Sequence, residues 1–320
     1  MKALDLFAGT GWGVACKALG IDEEGVELMP EAVATRAANG MKTIYNDVWD
    51  GLRFPSMVPG YKLLIASPPC QTFSLAGKGS GRKALDDVLA LLHSGAYKLP
   101  EDGLRKAAED AGLDDRTALV LSPLAYVYRH RPTFVAFEQV PTVLPVWEAC
   151  AEALRELGYS AQTGVLNAEQ YGVPQTRKRA ILVARNDGQT ARLPEPTHSQ
   201  FHSADQGRLD PGVQPWRSIA DALGRTDLDT RYTQNNKLAH QAVRRLSQPA
   251  PTVTAGHDSG NRGFLDEEGA LTVATVAEVS ALQSYPADFN WQGAKTKQLL
   301  QIGNAVPPLL AEAVLRSLTA

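Results

Sequence analysis

The chain runs to 320 residues, 44% hydrophobic and 21% charged, a globular composition with length for one large domain or two ordinary ones, which excludes disordered and collagen-like classes. With 32 Lys and Arg against 35 Asp and Glu the formal net charge is −3, so a uniformly basic nucleic-acid binder is excluded and one local basic surface is not. No apolar run approaches the ~18–20 residues of a membrane span, Asp5 breaks the N-terminal segment before a signal-like apolar region forms, and Cys16, Cys70 and Cys150 have neither metal-ligand nor redox spacing; a soluble cytoplasmic protein without membrane contact, disulfide scaffold or metal is expected.

In chain order, 2–8 reads as a short apolar strand, 9–13 as a glycine-rich turn and 14–19 as a helix stopped by Gly20. A second strand at about 22–28 contains Glu27, a helix follows over about 30–39, and further strands precede Asn46-Asp47-Val48 and occupy 61–67. Residues 77–116 look like an insertion, or a mobile loop plus helices, before apolar runs at 134–137 and 180–184. Strands alternating with helices predict an α/β architecture, a doubly wound and mostly parallel sheet covered on both faces. From 186 to 262 Gly, Pro, Asn, Gln and Thr dominate with weak periodicity, predicting a smaller loop-rich domain. Helical patterns return near 276–282 and 308–318. The expected division is 1–190, a small domain over 191–274, and a return to the large domain over 275–320.

Five motifs carry chemistry. Ala66-Ser67-Pro68-Pro69-Cys70-Gln71-Thr72-Phe73-Ser74 puts a thiol just past a strand, at the carboxyl edge where open α/β sheets bind ligands, its backbone restricted by two prolines. Asp5-Leu6-Phe7-Ala8-Gly9-Thr10-Gly11-Trp12-Gly13 lets backbone approach a ligand closely, but its spacing is not the dinucleotide fingerprint. Glu27 at the next strand end is suited to a ribose diol. Glu138, in Phe137-Glu138-Gln139-Val140, ends an apolar strand at the same sheet edge. Arg177 and Arg179, two apart and entering a strand, are expected to project from one face. Gly303-Asn304-Ala305-Val306-Pro307-Pro308 is a tight turn entering the last helix, with Pro near its first position.

In this order the motifs resemble the C5-cytosine DNA methyltransferases. Asp5–Gly13 is similar to the family's S-adenosylmethionine motif, and Pro69-Cys70-Gln71 to its nucleophile loop. Glu138-Gln139-Val140 is similar to its Glu-Asn-Val motif, Gln175–Arg179 to its Gln-Arg-Arg-Glu-Arg motif, and Gly303–Pro307 to its Gly-Asn-Ala-Val-Pro motif. Arg245–Thr254 looks like the segment that organises the recognition domain. Gln139 stands for the usual Asn, Lys178 for Glu and Thr176 for a basic residue; 77–116 is longer than usual and the recognition segment is short.

The resemblance implies a Rossmann-like class I methyltransferase fold with a target-recognition domain. It implies S-adenosylmethionine as cofactor, held by Phe7, Ala8, Gly9, Thr10, Gly11, Gly13, Glu27, Leu28, Met29, Asp47, Val48, Pro68, Asn304, Ala305 and Val306. It implies Cys70 as the nucleophile that adds to cytosine C6, and Glu138, Arg177 and Arg179 as groups that hold and polarise the base. Double-stranded DNA is the implied partner, its target base flipped out. Gln71, Ser74, Lys78, Arg82, Arg231, Lys237, Arg244 and Arg245 are the implied DNA contacts, in segments with a local excess of positive charge. No obligate protein partner is expected; a monomer is. A tRNA-acting branch of the family and a catalytically silent DNA-binding homologue are the competing readings.

Overall fold

The computed structural model describes residues 1–69, 79–235, 243–255 and 261–320, with the backbone alone over 79–82. The chain forms β1 (Lys2–Leu6), α1 (Gly11–Ala18), β2 (Asp22–Val26), α2 (Pro30–Ala38), β3 (Lys42–Tyr45), α3 (Val48–Arg53) and β4 (Leu63–Ala66). Then come α4 (Gly79–His93), α5 (Glu101–Asp110), α6 (Asp115–Ala118), α7 (Ser122–His130), β5 (Phe134–Gln139), α8 (Leu144–Glu156), β6 (Ser160–Asn167), β7 (Gln175–Thr176) and β8 (Lys178–Arg185). The remainder is α9 (Ile219–Leu223), β9 (Arg231–Thr233), β10 (Val243–Arg245), β11 (Ala250–Pro251), β12 (Gly263–Leu265), β13 (Leu271–Val273), α10 (Val276–Leu282), α11 (Lys295–Asn304) and α12 (Pro308–Thr319).

Seven strands make one sheet in the order β3-β2-β1-β4-β5-β8-β6. The first five run parallel; β8 is antiparallel to both β5 and β6. Strand order reverses at β1, between β2 and β4, and ligands of such sheets bind in the crevice beyond the carboxyl ends there. Register sets that edge: Leu6 lies opposite Val26 and Ala66, and Ala66 opposite Phe137. Residues 7, 27, 67 and 138, the next in each strand, therefore emerge side by side.

Side-chain alternation fills both faces. Leu4, Leu6, Leu64, Ala66, Val135 and Phe137 pack into one apolar cluster, and Ala3, Leu63, Ile65 and Ala136 into another. The first is completed by Val88, Leu92, Tyr97, Leu104, Leu113 and Leu121. The described part of the expected insertion, from 83 onward, thus belongs to the core: an amphipathic helix with apolar positions four apart needs a surface to cover, and the sheet supplies it. The second cluster is completed by Trp12 and Cys16 of α1 and by Leu310, Val314 and Leu318 of α12.

The stretch read as loop-rich contains a four-stranded antiparallel sheet, order β10-β9-β12-β13. Each of its strands has three residues, too few to display a period. Tyr232, Leu246 and Phe264 share a third cluster with Val279 and Leu282 of α10 and Leu299 and Ile302 of α11. A parallel ladder, Gln175 opposite Ala250 and Thr176 opposite Pro251, joins the two halves. Among the described residues no helix is long and apolar enough to cross a membrane, and no cluster of His, Cys, Asp or Glu is arranged to hold a metal.

Candidate active site

β1 ends in a sharp turn. Phe7 has φ +59° and Gly9 φ +45°, and the left-handed region is costly for a bulky side chain such as that of Phe7. Neighbours hold the turn there: Ala8 N–H donates to the Val26 carbonyl at 3.0 Å, Gly9 N–H to Glu27 Oε2 at 2.8 Å, and Arg36 Nη1 to the Gly9 carbonyl at 3.2 Å. Arg36 is fully buried and also donates to Glu23 at 2.7 Å and to the Lys42 carbonyl at 2.8 Å. Beneath them both Asp5 oxygens are buried without a hydrogen bond, and burial first, then the Glu23 charge, pushes this carboxyl well above the usual range.

The turn is shorter than expected, because α1 starts at Gly11 and takes in Gly13. Gly11 serves close approach: a Cβ there would lie 2.0 Å from the Val306 carbonyl oxygen. Gly13 faces Met41 and Glu23, and the Thr10 hydroxyl is buried against that of Tyr285 at 2.6 Å. Trp12 is buried, its Nε1 donating to Ser67 Oγ at 2.9 Å.

Glu27 accepts from Gly9 N–H and, on Oε1, from Met29 N–H at 2.8 Å; each oxygen keeps a second lone pair. Leu28 beside it is 71% exposed. Asp47 is exposed and caps α3 by accepting from Trp49 N–H at 2.9 Å. Val48 turns its side chain into the core. Ala305 and Val306 are buried, and Asn304 is exposed.

At the β4–β5 edge, Pro68 is buried and Gln139 Nε2 donates to its carbonyl. Glu138, nearly buried, pairs with Arg179 Nε at 2.8 Å, and Arg179 Nη1 donates to the Lys178 carbonyl at 2.6 Å. Arg177 goes elsewhere. It falls between β7 and β8, so strand alternation does not govern it, and its Nη atoms donate to the carbonyls of Val253, Gly303 and Ala305 at 2.7, 2.9 and 3.1 Å. Gln175 extends this clamp, donating to the Leu282 carbonyl at 3.1 Å and to Gln283 Oε1, and accepting from Val253 N–H at 2.7 Å. The expectation that both arginines share a face is corrected: Arg179 meets the carboxylate and Arg177 ties three chain segments together. Trp12, Gln283 and Tyr285 were not among the expected site residues, since their partners lie far off along the chain.

Of the expected DNA contacts, Cys70's neighbours Gln71, Ser74 and Lys78 lie with Cys70 itself outside the described residues, as do Lys237 and the side chain of Arg82. Arg231 is exposed and donates to the Asp266 carbonyl at 3.2 Å. Arg244 and Arg245 sit on opposite faces of β10. Arg244 lies opposite buried Tyr232, stacks 4.9 Å from the Phe201 ring centre and has its basicity lowered by burial. Arg245 lies opposite Arg231, reaches Asp229 at 3.5 Å and is two-thirds exposed. Gln234 is buried, its Nε2 donating to the Pro251 carbonyl at 3.3 Å.

A family model described as C-5 cytosine-specific DNA methylase matches residues 1–92, 105–248 and 214–320. Type II methyltransferase M1.HphI of Haemophilus parahaemolyticus is 28% identical over 346 residues, covering 97% of this chain and 84% of that protein. Type II methyltransferase M.HgiDI of Herpetosiphon aurantiacus is 28% identical over 338 residues, covering 100% and 94%. In fold the chain is similar to the Dnmt2 methyltransferase of S. pombe, with TM-score 0.64 and 17% identity over 99% of this chain and 98% of the other. The methyltransferase EhMeth of Entamoeba histolytica gives TM-score 0.62 and 14% identity over 99% and 97%. With the six ordered motifs, the sheet order and a family match that leaves out only 93–104, the chain belongs to the C-5 cytosine-specific DNA methylases and is a DNA cytosine-5 methyltransferase.

Proposed function

We propose that this enzyme takes the methyl group from S-adenosylmethionine and delivers it to a cytosine flipped out of double-stranded DNA, with Cys70 adding covalently to C6. The observation that carries the reading is the Glu138–Arg179 pair, 2.8 Å apart and nearly buried, on the same sheet edge as the Pro68-Pro69 root of the cysteine loop.

The crevice fits the cofactor. Glu27 keeps acceptor capacity for two ribose hydroxyls, Met29 is assigned to pack on adenine, and exposed Asp47 with the Val48 backbone suits the adenine edge. Asn304 and the backbone of Ala305 and Val306 would close the far side. When bound, the cofactor supplies an electrophilic methyl on a sulfonium sulfur.

Cytosine C5 is too weak a nucleophile to take that methyl unaided. The Cys70 thiolate forms a bond to C6, and the ring electrons move to C5, which would then take the methyl carbon as its bond to sulfur breaks and the sulfur leaves as a neutral thioether. Glu138 holds the N3 and amino edge while Arg179 faces the carbonyl, so charge that develops in the ring meets fixed partners. Loss of the C5 proton to a base then lets the C6–S bond break and returns the thiolate. A base within the duplex cannot reach a thiol at a sheet edge, and extrusion costs a few kcal/mol of stacking and pairing. Residues 1–190 with the return over 275–320 are assigned to chemistry and 191–274 to DNA recognition, acting as a monomer.

Bisulfite sequencing of DNA from cells expressing the chain tests the reading. A recurrent protected cytosine that disappears with Cys70→Ser supports it; protection that survives the substitution contradicts it.

A further inference from the structure

Beneath the 46–48 turn, which on the reading above meets the adenine edge, two tyrosines from distant parts of the chain converge. Tyr126 of α7 donates its hydroxyl to the Val48 carbonyl at 2.6 Å, both atoms buried. Its oxygen lies 3.2 Å from that of Tyr45, at the end of β3. Since the Tyr126 proton is committed to Val48, Tyr45 is the donor in this second bond.

The space for the two phenols exists because residue 51 is glycine. A Cβ on Gly51 would lie 2.1 Å from the Tyr126 oxygen and 2.5 Å from that of Tyr45. Burial pushes both phenols above their ordinary range, so they stay neutral and keep these protons. On its other side the turn is tied to the ribose-binding residue: Asn46 Nδ2 donates to the Glu27 carbonyl at 2.8 Å, and Glu27 N–H to the Tyr45 carbonyl at 3.4 Å. The Val48 side chain is locked in the core. With α3 capped by Asp47 through Trp49 N–H at 2.9 Å, the Tyr126 hydroxyl supports the Val48 backbone from the core side.

We propose that Tyr126, supported by Tyr45, is a positioning residue for the adenine end of the cofactor: it fixes the Asp47–Val48 turn at the level where the turn meets the base. This rests on the cofactor reading above. Tyr126 touches neither cofactor nor substrate on this account and acts through Val48.

The test is titration calorimetry with S-adenosylhomocysteine on the wild type, Tyr126→Phe, Tyr45→Phe and the double variant, alongside steady-state kinetics. Tyr126→Phe keeps the ring and removes the bond. The expected result is a Kd raised about tenfold, with KM for S-adenosylmethionine raised in parallel and kcat and KM for DNA unchanged. Tyr45→Phe should weaken binding by about threefold, and the double variant should match Tyr126→Phe, because Tyr45 acts only through its neighbour. A purely structural role would lower the melting temperature and leave Kd alone. Folded Tyr126→Phe that binds within about twofold of wild type overturns the proposal. Should Tyr126→Phe fail to fold, Tyr45→Phe decides, and unaltered binding there overturns it. A wild type that does not bind S-adenosylhomocysteine brings down the cofactor reading, and this proposal with it.

Discussion

Gln139 donates its side-chain amide to the carbonyl of Pro68, two residues before Cys70, while its own carbonyl oxygen accepts from Val140 N–H. Ser67 is held from the opposite side, its hydroxyl by the Trp12 indole at 2.9 Å and its N–H by the Leu6 carbonyl at 3.3 Å. β1, α1 and β5 therefore grip the root of the cysteine loop together, and Gln139 fills the place where the family usually has Asn. Gln139→Leu keeps the bulk and strands the buried Pro68 carbonyl. We expect a stability loss of about 1–3 kcal/mol and slower covalent capture of a mechanism-based DNA substrate, with S-adenosylhomocysteine affinity unchanged. Equal capture rates would remove the loop root from the account.

Arg177 and Arg179 should separate by assay. Arg177→Met deletes three bonds from a buried guanidinium to carbonyls of 253, 303 and 305. Charge-assisted bonds contribute roughly 1.5–3 kcal/mol each, so a loss of several kcal/mol and a clear fall in melting temperature are expected. Glu138→Gln, which preserves shape beside Arg179, should instead cost about a hundredfold or more in kcat with little change in melting temperature. Calorimetry and single-turnover rates check both, and a reversed pattern contradicts the assignment.

Glu169 gives a pH signature. Burial is the main cause that pushes its carboxyl from 4.5 up to about 7, against the N–H groups of Arg177 and Phe201 and the Lys178 charge, which lower it. Between those values the folded chain holds a proton that the unfolded chain has lost, so stability is present at low pH and lost as pH rises through about 7. The span corresponds to about 3 kcal/mol. Glu169→Gln should be indistinguishable from wild type near pH 4.5 and more stable at pH 8. Denaturant melts across that range measure it; a gap that does not widen with pH contradicts the assignment.

Arg244 and Arg245 are not interchangeable. Arg244→Ala removes the stack on Phe201 and should lower stability by about 0.5–2 kcal/mol. Exposed Arg245→Ala should leave the melt unchanged and make the dependence of log K on log salt shallower by about one unit, if it meets a phosphate. DNA-binding titrations over a salt series decide it, and an unchanged slope removes Arg245 from the contact surface.

Much of the catalytic half was legible in the sequence because β1, β4 and most of β5 are short, largely apolar runs, and chemically distinctive residues such as Glu27 and Glu138 stand at the strand ends. Arg177 was misplaced because it stands at a break between strands, where period two does not apply. The helices after residue 79 looked like an addition because their charged faces are conspicuous, and nothing local says that Val88 and Leu92 meet the sheet. The small sheet was missed because three-residue strands carry no pattern. The bonds Tyr126–Val48 and Gln175–Gln283 join residues 78 and 108 apart in sequence, and no spacing rule reaches that far.

The central claim is that Cys70 forms a bond to C6 of an extruded cytosine. The direct measurement is denaturing gel electrophoresis after incubation with S-adenosylmethionine and a duplex carrying 5-fluorocytosine at the site found by bisulfite sequencing. Fluorine in place of the C5 proton blocks elimination, so the wild type should migrate as a stable protein–DNA adduct and Cys70→Ser should not. An adduct formed by Cys70→Ser, or a wild type that methylates the ordinary duplex yet forms no adduct with the fluorinated one, would contradict the mechanism.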